Sequence, residues 1–207
     1  MNKKIVYFIS LVFVIIIAIN IVSAVGVNVW ALFKWQENDK IHESNLKNQK
    51  YEDYFEPKID SLIEIDPKNA VKYINKVIIK YPEIYFLELK KGIAYYKIDS
   101  MEIAIKQFRK SMSKSGHEFP TALGHIGWTL VELERYDEAI VEFKKAAKQN
   151  SVYILDIAQV YELRNDFVNA QKYYELRLGV LEKDNDPYYK NEIEELKIKI
   201  EKLKKKS

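Results

Sequence analysis

The sequence contains no cysteine. Disulfides, thiolate metal sites and cysteine nucleophiles are therefore excluded. Glycine (6) and proline (5) are scarce in 207 residues, which suits a mostly helical chain better than a loop-rich β protein. Charge of one sign is lacking as well: 33 basic and 30 acidic residues leave +3. A nucleic-acid footprint usually shows as a basic face on a strongly basic domain, so no nucleic-acid partner is expected.

Catalytic patterns are also missing. The three histidines are His42, His117 and His125. The pair His117-Glu118 begins like a zinc-binding helix, but that helix needs a second histidine three residues after the glutamate, and Thr121 stands there. The glycines lack the spacing of a phosphate loop, and no serine sits in a nucleophile-elbow pattern. No catalytic residue, metal ligand set or cofactor is expected, and the chain reads as a non-enzyme.

One long stretch lacks charge altogether. From Ile5 to Phe33 no Asp, Glu, Lys or Arg occurs. Roughly 20 apolar residues cross a bilayer as a helix, and a longer run tilts or rests one end in the interface. Trp30, Phe33 and Trp35 close the run, where amphipathic rings favour the headgroup level. Residues 1–33 are therefore expected to form a single transmembrane signal-anchor, with the bilayer contacted through residues 5–33. The competing reading is a cleaved signal peptide, with Lys3 and Lys4 as its basic start and Val22-Ser23-Ala24 as its cleavage site. The apolar run continues past Ala24, which favours the anchor. The short basic tail before the run resembles an export signal, so the bulk of the chain is expected outside the cytoplasm. Residues 34–50 form a polar connector, either a helical stalk or a disordered tether.

The rest of the chain repeats. Leu123, Ile126, Gly127 and Leu130 share one helical face, and Ala139, Phe143 and Ala146 share another. Gly92, Tyr95, Ala104, Phe108 and Ser111 stand 35 residues before Gly127, Leu130, Ala139, Phe143 and Ala146. Ala158, Tyr161, Ala170 and Tyr174 follow Gly127, Leu130, Ala139 and Phe143 by 31. Ala70, Ile74 and Val77 precede Ala104, Phe108 and Ser111 by 34. A period near 34 with small residues and rings at these places resembles the tetratricopeptide repeat, a helix-turn-helix unit that stacks on copies of itself. Four units are expected over 51–182, in an all-α solenoid preceded by the transmembrane helix. Asp66-Pro67 and Asp186-Pro187 read as helix starts, and Asp99 with Glu102 reads as an acidic capping pair. Pro57 should distort the first helix. Glu88 and Lys91 fall where the family prefers large apolar residues, and Arg177 where it prefers a small buried one.

After Asp186, Tyr189, Ile193, Leu196, Ile200 and Leu203 form a narrow apolar seam. Residues 183–207 are expected to be a capping helix with a basic end, as repeat arrays require; a short self-associating coiled coil is the alternative.

The resemblance implies function through binding. First helices of such units line a groove that commonly holds a peptide or extended protein segment. Carried onto this chain, groove places fall at Phe55, Ile59 and Leu62; at Leu89, Ile93 and Tyr96; at Gly124, Trp128 and Val131; and at Leu155, Gln159 and Glu162. The alternative occupant is the chain's own connector or terminal helix. Glu56, Lys90, His125 and Asp156 form one charged row, with Glu56 expected to pair with Lys90 and His125 with Asp156. His125 is also a candidate ligand contact. Gly124 beside Trp128 is expected to leave a notch, closed on its other side by Ile93 and Tyr96. The expected function is a membrane-anchored scaffold for a protein or peptide partner, with a secreted or periplasmic adaptor as the alternative.

Overall fold

The computed structural model describes residues 54–206. The expected membrane helix, the connector and His42 lie outside the described residues. Among the described residues no helix is long and apolar enough to cross a membrane. The chain divides into two units, Met1–Phe55 and Glu56–Ser207, and the second carries the repeats.

Among the described residues of that unit there are nine α-helices and no strand: α1 (Glu56–Ile65), α2 (Pro67–Lys80), α3 (Tyr85–Lys97), α4 (Met101–Ser115), α5 (Pro120–Glu132), α6 (Tyr136–Ala147), α7 (Tyr153–Leu163), α8 (Phe167–Asp184) and α9 (Lys190–Lys204). They pack as a run of antiparallel pairs, α1/α2 to α7/α8, with each pair stacked on the next. The architecture is a tetratricopeptide-like all-helical solenoid. Pro57 sits in the first turn of α1, just after a π-helical turn at Tyr54 and Phe55.

Every unit owes its internal packing to the marks that repeat in the sequence. Ala70, Ala104, Ala139 and Ala170 are wholly buried, so the paired helices approach closely. Phe108 and Phe143 are also wholly buried. Each ring lies in the space that a side chain would need on the facing helix. A Cβ on Gly92 would fall 2.4 Å from the Phe108 ring, and one on Gly127 would fall 2.6 Å from Phe143. In the last pair Ala158 replaces the glycine, and Tyr174 replaces the phenylalanine and donates its hydroxyl to Glu162 at 2.6 Å.

The turns inside the last three pairs share one hydrogen-bond scheme. Ser100, Arg135 and Asp166 each donate a backbone N–H five residues back, to Tyr95, Leu130 and Tyr161, at 2.9 Å. The residues before them, Asp99, Glu134 and Asn165, adopt left-handed φ values of 56°, 58° and 59°. They donate to Tyr96, Val131 and Glu162. This is the Schellman closure, which uses up the orphan carbonyls of the helix end. The expectation that Asp99 caps α4 is thereby corrected: Asp99 closes α3, and Ser100 precedes α4 without a side-chain cap. Asp66 does cap α2 through the Asn69 N–H, and Asp186 caps the 3-10 turn Pro187–Tyr189 through Tyr188.

At the C-terminal end, Leu196, Ile200 and Leu203 of α9 are buried against Ala158, Ala170, Tyr174 and Leu181. Arg177 is buried but fully engaged. Its Nε and Nη2 donate to Glu192 at 2.8 and 3.2 Å, and its Nη1 donates to Ser151 at 2.9 Å. The departure from the family pattern at Arg177 thus clamps α9 onto α8. Glu88 is another departure. Its carboxylate is wholly buried, with the ammonium groups of Lys110 and Lys114 each 2.8 Å away. Burial alone would raise the Glu88 pKa, but the bonds and charges of the two lysines outweigh it and hold the carboxyl below its usual range.

Candidate partner-binding groove

The first helices of successive units touch directly, α1 with α3 and α3 with α5, which places this row on the inner side of the stack. Polar side chains cross from helix to helix along it. Lys90 on α3 lies 2.9 Å from Glu56 and 2.7 Å from Asp60 on α1. Lys97 reaches Glu64 at 3.0 Å. Tyr96 donates its hydroxyl to Glu132 on α5 at 3.4 Å, and Trp128 donates its indole N–H to Asp156 on α7 at 2.9 Å. The expected Glu56–Lys90 pair is present. Desolvation would lower the Lys90 pKa, but Asp60 and Glu56 hold it above its usual value.

The expected His125–Asp156 pair is absent. His125 instead stacks on Phe108, ring centroids 5.1 Å apart and planes 13° apart. Burial, together with the nearby Lys90, lowers the His125 pKa, so the imidazole is neutral at neutral pH. A neutral ring on an aromatic face has no call for a carboxylate, and Asp156 turns to the indole. Asp156 is pushed up to about 6 by burial, partly offset by the Trp128 bond.

Four residues read from the sequence as groove-facing are buried in the structure. Ile59, Leu89, Gly124 and Val131 belong to the packed interior. Their helices are amphipathic, but stacking on both neighbours widens the buried face beyond what one helix pair would need. Gly124 does not leave a notch. A Cβ there would meet the Tyr153 ring at 2.4 Å, so Tyr153 of α7 fills the place and is what requires glycine. Phe55, Ile93, Tyr96, His125 and Trp128 are half-buried, with Ile93, Tyr96 and Trp128 resting on the interior.

Trp128 is both wall and support. Its ring meets Phe143 edge-on at 5.5 Å. It also borders a surface depression of about 410 Å³ whose other lining residues are Gln159, Glu162 and Leu163 of α7. Leu163 is 54% exposed although it is a large aliphatic side chain. Sequence reading missed Leu163, Glu132 and Asp60. Leu163 lies seven residues after Asp156 and four after Gln159, so helical spacing alone places it on the same face. Among the described residues no cluster of His, Asp or Glu is arranged to hold a metal.

Comparison with known proteins agrees with the fold. Residues 120–153 match the family described as tetratricopeptide repeat. No curated protein matches the chain. Among solved structures, the chain is similar to a MamA protein at 20% identity and TM-score 0.51, over 72% of this chain and 85% of that one. A MamA RS-1 double mutant aligns at 18% identity and TM-score 0.52, over 69% and 84%. The C-terminal part of a TPR repeat-containing protein from Cytophaga hutchinsonii aligns at 18% and 0.51, over 72% and 64%. At these identities the likeness concerns the fold.

Proposed function

We propose that this chain is a scaffold held at a membrane by residues 5–33, and that it binds an extended segment of a protein partner along its row of first helices. The observation that carries the binding reading is the depression beside Trp128. A half-buried indole and an exposed leucine line it together, and the polar side chains of Gln159 and Glu162 border them. Such a place suits an anchoring side chain with apolar surface to bury, because buried contacts to aromatic rings dominate many interfaces. The repeat architecture supports the same reading, since stacked units build extended inner surfaces. The anchor rests on the uncharged run and its terminal tryptophans, and Lys3 and Lys4 favour placing the repeats outside the cytoplasm.

Two measurements test this. Leu163→Arg alters the wall of the depression from an exposed position, so stability should be nearly unchanged, within about 0.5 kcal/mol. Recovery of co-purifying protein from detergent-solubilised membranes should fall by about tenfold or more. Equal recovery with wild type and variant would place the partner elsewhere. For the anchor, alkaline carbonate extraction should leave the full-length chain in the membrane pellet. A mature N-terminus at Val25 in the soluble fraction would show cleavage instead.

A further inference from the structure

The charges around the Trp128 depression are unevenly paired. Glu162 is engaged twice, by the Tyr174 hydroxyl at 2.6 Å and by Lys199 at 2.9 Å. Glu132 and Asp156 are different. Each accepts a hydrogen bond from a neutral donor, Tyr96 and Trp128 respectively, and among the described residues neither forms an ion pair. The contrast with the start of the same row is sharp, because Lys90 there satisfies both Glu56 and Asp60. So the inner surface begins neutralised at α1 and α3 and becomes acidic where α5 faces α7.

Position strengthens the point. Glu132 follows Trp128 by four residues on α5, one turn along the same face. Asp156 holds the indole N–H and precedes Gln159 and Leu163 on the exposed face of α7. The two carboxylates therefore flank the indole that borders the depression. A cation entering there meets the indole, the aromatic ring best suited to attract it, with Asp156 hydrogen-bonded to that indole and Glu132 one helical turn from it. Its aliphatic stem can lie against Leu163. An acidic side chain would meet like charge from both sides, and like-charge placement in an interface is costly.

We infer that the depression bounded by Trp128 and Leu163 takes a lysine or arginine side chain from an extended partner segment, with Glu132 and Asp156 as its counter-charges. The inference rests on the groove-binding reading above and adds the chemistry of the partner. Asp156 fits the role, since burial without a cation leaves its carboxylate at a disadvantage that an incoming ammonium or guanidinium would remove.

The test uses the full chain in detergent on an array of acetylated heptapeptides. The central residue is fixed as arginine, lysine, leucine or glutamate, and the flanking residues are varied. Wild type should bind the arginine and lysine sets at least tenfold more strongly than the glutamate set. In a Glu132→Gln/Asp156→Asn double variant that melts like wild type, this preference should fall to less than twofold. Leu163→Arg should reduce binding of the leucine-centred set and of both basic sets. If the basic preference is absent in wild type, or unchanged in the double variant, the assigned chemistry is overturned. If leucine-centred peptides bind in a Leu163-dependent way without any basic preference, the groove reading stands and only the partner chemistry fails. If no set binds better to wild type than to Leu163→Arg, both fail.

Discussion

Phe143→Ala lowers the stability of the repeat unit by about 3–5 kcal/mol. The ring is wholly buried, fits against Gly127 and meets Trp128 edge-on. Truncation leaves a cavity that no neighbour can fill, because Gly127 has no side chain to move into it and the helices beside it are held by Schellman turns and buried alanines. Arrays of this kind are coupled only through neighbouring units, so a lesion at α5/α6 also weakens the link between α3/α4 and α7/α8. Chemical denaturation of the purified chain, followed by far-ultraviolet circular dichroism, should show a lower midpoint and loss of a single transition. A midpoint within about 0.5 kcal/mol of wild type would mean that the ring is not a core element.

The second large effect comes from the buried carboxylate. A Lys110→Met/Lys114→Met double variant removes the two ammonium groups that lie 2.8 Å from Glu88. Leaving a buried charge uncompensated costs about 3–5 kcal/mol. Lys91 remains close enough to feel Glu88, but its own pKa is lowered by burial, so it compensates only in part. The dependence on pH should reverse. In wild type the folded pKa of Glu88 lies below the unfolded one, so its contribution is present above the usual carboxylate range and is lost as pH falls through the folded value. In the double variant burial acts without the lysines and raises the folded pKa. The carboxyl then favours folding below the unfolded value, and stability is lost as pH rises through the folded one. The gap between variant and wild type should be large at pH 7 and should shrink at pH 4. Adding Glu88→Leu should restore most of the loss at pH 7, since an apolar side chain can replace a buried ion pair at little or no cost. A gap that stays the same from pH 7 to pH 4 would rule out an electrostatic origin.

Much of the array is legible in the sequence because its determinants are local and periodic. Small residues at Gly92, Gly127 and Ala158, with rings at Phe108, Phe143 and Tyr174, recur at spacings that only a stacked unit explains. The seam from Tyr189 to Leu203 shows its buried face by helical spacing alone. What sequence reading misses depends on contacts between units. Gly124 looks like an opening until Tyr153, 29 residues later, is seen to fill it. His125 and Asp156 occupy equivalent places and suggest a pair, yet Phe108 and Trp128 offer each of them a better partner. Ile59, Leu89 and Val131 are read as groove-facing because the second neighbour that buries them is not visible from one helix pair. Glu134 gives no local hint of its left-handed conformation, since the Schellman closure imposes it and the side chain does not favour it. The half-buried positions Ile93, Tyr96 and Trp128 keep part of their surface free, because a large side chain in excess of the packing face must go somewhere.

Helix α9 has a consequence for assembly. Stacking one copy on another, end to end through repeat surfaces, requires two complementary open faces on every molecule, and contacts of that kind give open filaments wherever the rotation does not close a ring. In this chain Leu196, Ile200 and Leu203 already occupy the last face, and the Arg177–Glu192 clamp holds them there. A second copy could stack at that end only by displacing α9 and breaking the clamp. Open-ended filaments built by extending the solenoid are therefore blocked at the α8 side.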